Sequence, residues 1–150
     1  MQERFKEALK TADKAQDKIR VSTLRLIMAA IKDRDIAARS ADSGDGVSDD
    51  QILEILAKMV KQRQEAASTY EEAGRLELAE QERAEIVVIE DFLPAQLSDE
   101  DVASAVAAAC DEVGAQSLKD MGKVMGVLKG KYAGQMDFGK AGGLVKQRLS

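Results

Sequence analysis

Apolar residues recur at intervals of three and four through most of this chain, and that period predicts packed amphipathic helices rather than strands. Leu24, Ile27, Met28 and Ile31 make one stripe, and Ile52, Ile55, Leu56, Met59 and Val60 make another. Composition narrows the choice further. Aromatic residues are 3% and tryptophan is absent, so Leu, Ile, Val, Met and Ala must fill the core, a mixture suited to helix packing. With 150 residues, 45% hydrophobic and 33% charged, the chain is long enough for one compact domain or two small lobes.

Start and stop signals divide the pattern into seven helices, an all-α architecture. The first two are predicted over 2–15 and 18–38, both basic, and Lys18, Arg25 and Lys32 recur every seven residues on a face away from the apolar stripe. Ser, Asp, Gly44 and Gly46 over 40–47 read as a flexible connection. Ser48 with Gln51 then forms a capping box, and Val47 with Ile52 a hydrophobic staple. Helix three ends at Gly74, where a hairpin turn leads into a fourth helix with Leu78, Ile86, Ile89 and Leu93 inward; it must stop near the only proline, Pro94. Ser98 and Asp101 cap the fifth, which carries Val102, Val106, Ala109 and Val113 and ends at Gly114. Ser117 and Asp120 start the sixth, and Asp137 caps a short seventh with Leu144, Val145 and Leu149. The expected domains are a four-helix N-terminal lobe over 1–95 and a three-helix lobe over 96–150.

The net charge of −5 sums three unlike segments. Residues 1–39 hold 10 Lys/Arg and 6 Asp/Glu, residues 40–113 hold 5 and 19, and residues 114–150 hold 7 and 2. An acidic middle repels polyanions while the ends attract them, so a nucleic-acid contact is expected at the ends, the last segment above all; ordinary solvated helix faces are the plainer explanation.

Chemistry of the usual kinds finds little support. Histidine is absent, which excludes a His-based triad. The one cysteine, Cys110, sits beside an apolar stripe with no cation to activate it and reads as a buried thiol. Glycine spacing matches neither a Walker A loop nor a dinucleotide fingerprint. No metal cluster and no cofactor site is expected. No apolar run reaches the roughly 20 residues of a membrane span, and nothing resembles a secretory leader, so a cytoplasmic protein is expected.

The run KQRQEAASTYEEAGRLELAEQERAEIVVIEDFLPAQLS and the later GAQSLKDMGKVMGVLKGK resemble the two signatures of the GatB/YqeY family. The first contributes Lys61, Arg63, Tyr70, Gly74, Arg75, Glu82, Glu85 and Pro94, and the second Gly114, Lys119, Asp120, Gly122, Lys123 and Gly126. The resemblance implies a helical lobe followed by one similar to the tRNA-contacting tail of the B subunit of the tRNA-dependent Asp/Glu amidotransferase. The catalytic domain of that subunit has no counterpart here. A carbon-nitrogen ligase label with glutamine as amide donor would thus be inherited from the larger enzyme. The resemblance implies a non-catalytic partner of tRNA or other structured RNA; the alternatives are a protein-interaction adaptor using the acidic middle, or an accessory to amidotransferase activity. Gly142 and Gly143 depart from the family pattern, and a last helix containing both is expected to order only on a partner.

Within these motifs, the spacing 78, 82, 86, 89, 93 puts Glu82 in the apolar stripe, where it needs Arg63, Lys61 or Arg75 as a partner or shares a binding role with Glu85. Tyr70 is a packing residue or a stacking platform. Gly122, Gly126, Gly130 and Gly134 recur every four residues in the sixth helix, each costing about 1 kcal/mol of helix stability. Rotation by about 100° per residue places Lys119 and Lys123 among them and Lys129 at their edge, opposite Met121, Val124, Met125 and Leu128. Such a smooth basic face suits a phosphate backbone, while a helix contact through small residues is the structural alternative. Lys131, Lys140, Lys146 and Arg148 complete the candidate nucleic-acid-binding set.

Overall fold

The computed structural model describes residues 1–40 and 46–150. Among these residues every regular element is helical: α1 (Gln2–Lys14), α2 (Lys18–Ser40), α3 (Asp49–Glu72), α4 (Leu76–Glu90), α5 (Asp99–Val113), a 3-10 turn (Leu118–Asp120), α6 (Met121–Tyr132) and α7 (Phe138–Leu149). The connection expected over 40–47 lies mainly outside the described residues. Contacts divide the chain into unit 1, Met1–Leu93, and unit 2, Pro94–Ser150.

Unit 1 is α1 to α4 around Phe5, Leu24, Ile27, Ile52, Leu56 and Ile89. Local chemistry sets its helix ends. The Asp17 carboxylate accepts from the Arg20 amide (3.1 Å) and starts α2. Ser48 and Gln51 form the expected capping box at α3, with bonds of 3.2 and 2.9 Å. Gly74, at φ +74°, supplies the left-handed turn of the α3–α4 hairpin, closed by the Arg75 amide donating to the Tyr70 carbonyl at 2.8 Å.

The inward face of α4 holds Ile86 and Ile89 as expected, but Leu78 in its first turn is not covered. Ala79, Glu85, Ile86, Val88 and Ile89 are buried, while Leu78 is 39% exposed. Beyond the helix Phe92 is buried and Leu93 only partly so. Phe92 packs on Phe5 with ring centres 4.9 Å apart, and Arg4 and Arg20 lie over its ring. Arg20 also pairs with Asp91 at 2.8 Å and Arg4 donates to the Asp91 carbonyl, so two cations close the carbonyl end of α4.

Unit 2 packs α5, α6 and α7 around Val106, Ala109, Cys110, Val124, Leu128, Ala141 and Val145. Ser98 caps α5, accepting from Asp101 at 3.1 Å, and Gly114 ends it in the left-handed region at φ +63°. Asp137 caps α7, accepting from Gly139 at 2.8 Å. α7 is helical over Phe138–Leu149 within unit 2, with Gly142 and Gly143 in its interior. Gly142 is buried there because the Met121 and Met125 methyl groups approach the space a Cβ would take, at 3.6 and 3.9 Å.

Candidate nucleic-acid interface

α6 has two unlike sides. Val124 and Leu128 are fully buried, and Met121 and Met125 are partly so. Gly122, Gly126 and Gly130 are exposed, and a Cβ built on any of them meets no atom within 4 Å. Within unit 2 the glycine strip therefore packs against nothing, so a helix contact inside that unit is not the reason for it. At about 100° per residue the three glycines fill one arc, with Lys129 on one border and Lys123 on the other, both exposed.

Three expectations need correction. Lys119 is exposed but lies in the 3-10 turn before α6, so an α-helical wheel does not place it among the glycines. Gly134 lies beyond the end of α6, buried at φ +75° with its carbonyl accepting from the Gln96 amide. Ser117, expected with Asp120 to start the helix, makes no side-chain cap bond; the Asp120 carboxylate accepts from the Gln116 amide at 3.0 Å, and that bond above all holds it below the usual carboxylate range, with a smaller pull from Lys123. One anion thus sits at the start of the strip.

Among the other candidate cations, Lys131 turns to the α5 side and pairs with Glu112 at 2.8 Å. Lys140, Lys146 and Arg148 are exposed on α7, spread around its solvent side rather than aligned in one row.

The first motif is mostly structural in its placement. Glu85, rather than Glu82, is the buried carboxylate, and Arg63 is its partner, with Nε 3.5 Å from Oε2. The Arg63 guanidinium also donates to the Met59 carbonyl at 3.2 Å, while its Nε is buried without a hydrogen bond. Glu82 is partly buried one turn away and, after burial itself, is one of the influences that raise the Glu85 carboxyl. Tyr70 is partly buried near the end of α3, Lys61 is exposed, and Arg75 is exposed just before α4. Pro94 opens unit 2. Cys110 is buried, as its neighbours imply, and no group of three or more metal-ligating side chains occurs among the described residues.

The sequence profile of the YqeY-like proteins matches residues 2–149. The chain belongs to that family. It is 28% identical over 88 residues to Altered inheritance of mitochondria protein 41, mitochondrial, of Kluyveromyces lactis, covering 59% of this chain and 45% of that protein. The protein of the same name from Meyerozyma guilliermondii is 35% identical over 91 residues, covering 59% and 44%. An uncharacterized protein of Schizosaccharomyces pombe is 29% identical over 86 residues, covering 57% and 66%. The match thus spans less than half the length of the two proteins named first. Those two names read mitochondrial, in contrast to the cytoplasm expected for this YqeY-like chain. Among the described residues no helix is long and apolar enough to cross a membrane.

Proposed function

We propose that this YqeY-like chain is a non-catalytic protein that associates with tRNA or another structured RNA through α6. The observation that carries the reading is the open strip of Gly122, Gly126 and Gly130 bordered by Lys123 and Lys129. Three interior glycines weaken a helix by about 1 kcal/mol each relative to alanine. No packing contact in unit 2 offsets that penalty on this face, whereas close approach of a sugar–phosphate backbone would use both the bare main chain and the ammonium groups. The contact reads shape and charge rather than bases, since no aromatic side chain lies on the strip to stack on one. The resemblance of unit 2 to an amidotransferase tail points the same way.

The test replaces Lys119, Lys123 and Lys129 together by glutamine. All three are exposed, so helicity should persist. Affinity for total tRNA should fall, and the slope of log affinity against log salt should become shallower by about 0.7 to 0.9 for each phosphate no longer neutralised. A wild-type chain that ignores tRNA at physiological salt, or a substituted one with unchanged affinity and slope, would refute the reading.

A further inference from the structure

Unit 1 leaves three large apolar side chains open to solvent on one face of α2. Ile19, Leu26 and Ile36 are 42%, 45% and 54% exposed, and Ala29 lies exposed between them. In heptad register Ile19, Leu26 and Asp33 take one seam position and Ser22, Ala29 and Ile36 the other, so the seam is apolar at four of six places and carries one carboxylate. Lys18, Arg25 and Lys32 fall at the flanking position of successive heptads, one unbroken cationic row beside the seam, all exposed. Among the described residues no ion pair engages any of the three. The opposite side of the helix buries Thr23, Leu24, Ile27 and Ile31, so the seam is no part of the unit 1 core. Beside its C-terminal half a cleft of about 330 Å³ opens between α1 and α2, lined by Phe5, Met28 and Ile31 with Lys6, Lys32 and Asp35.

We propose that the outer face of α2 docks a helix of a partner protein that carries carboxylates beside an apolar stripe. Flanking charges choose the partner in heptad pairing, and a row of only cations calls for a row of anions. The seam of about two and a half heptads is short for a free coiled coil, which fits a helix laid onto a folded unit. A second copy of this chain is disfavoured, because two-fold pairing through α2 would bring both cationic rows to one interface. Apolar side chains alternating with the cations are of no use to a phosphate backbone. A lipid surface is flat, whereas this face adjoins a concave cleft.

The test uses the full chain and a fluorescent amphipathic peptide of about three heptads, with Ile and Leu in its seam and Glu at its flanks, against a peptide of identical seam with Lys at its flanks. Anisotropy titrations should show the Glu peptide binding about tenfold or more tightly than the Lys peptide. Leu26→Ala with Ile36→Ala should weaken the Glu peptide by about tenfold without moving the melting temperature, both side chains being exposed. Lys18→Glu, Arg25→Glu and Lys32→Glu together should reverse the preference, a result no general folding defect produces. Failure of both peptides to bind, equal affinities, or indifference to the substitutions would overturn the proposal. So would a concentration-dependent oligomer dissolved by Ile36→Glu, co-flotation with phosphatidylserine vesicles, or loss of tRNA binding in the triple reversal, each of which assigns the face to another occupant.

Discussion

Glu85 and Arg63 meet inside the α3–α4 hairpin with side chains only 12% and 15% exposed. Burial raises the Glu85 carboxyl above its ordinary value of 4.5; Arg63 opposes the rise, and Glu82 adds to it. An acid that binds its proton more tightly when folded contributes most to stability below its unfolded value. That contribution is lost as pH rises from about 4.5 through the folded value. Glu85→Gln keeps the shape without the charge, so its melting temperature relative to the unsubstituted chain should be higher at pH 7 than at pH 4. Thermal unfolding followed by circular dichroism over that range decides it, and a flat difference would contradict the shifted carboxyl. Arg63→Met should act in the other direction at neutral pH, destabilising by about 3 kcal/mol because Glu85 is left without its cation. The sequence put a carboxylate in the stripe and named Arg63 among its partners, but chose the wrong glutamate. Phe92 packing on Phe5 beneath the arginines of α1 and α2 is a tertiary contact that no local spacing encodes.

Helix boundaries were legible wherever one or two neighbouring residues decide them, as with Ser48 and Gln51, Ser98, Asp137 and the left-handed glycines 74 and 114. The start of α6 was not, because the Gln116 amide captures the Asp120 carboxylate and a 3-10 turn intervenes. The glycine strip ends at Gly130, one glycine short of the sequence repeat, since a four-residue repeat shows where glycines align but not where the helix stops. Two like substitutions should therefore have opposite signs. Gly126→Ala adds a methyl group in open space within a helix and should stabilise unit 2 by about 1 kcal/mol. The same methyl should weaken tRNA binding if a backbone lies against the strip. Gly114→Ala meets no steric contact either, but at φ +63° it should destabilise by about 1 kcal/mol. Chemical denaturation of both variants checks the pair, and equal signs would refute the assignment of the α6 face as uncommitted surface.

Across the whole chain the charge belongs to unit 1. Unit 2 contains seven cations and seven carboxylates, so the net −5 lies in residues 1–93. The positive balance of residues 114–150, read along the sequence, is matched by five acids on α5, one of which already holds Lys131. Long-range attraction to a polyanion is therefore weak, and RNA affinity must arise from the few ammonium groups that touch phosphates. Net charge and local contact can be separated. Replacing the exposed Glu77, Glu80 and Glu90 of α4 by glutamine moves the net charge from −5 to −2, the same size of change as the lysine triple substitution with the opposite sign. Counterion release counts contacts rather than net charge, so this acidic triple should leave the salt slope of tRNA binding unaltered. Its affinity should change by no more than about twofold at 0.15 M salt, where fields decay over roughly 8 Å. The lysine triple should flatten the slope under the same conditions. If the two triples shift the slope equally in opposite directions, the binding is a response to overall charge, and α6 loses its claim to be the contact surface.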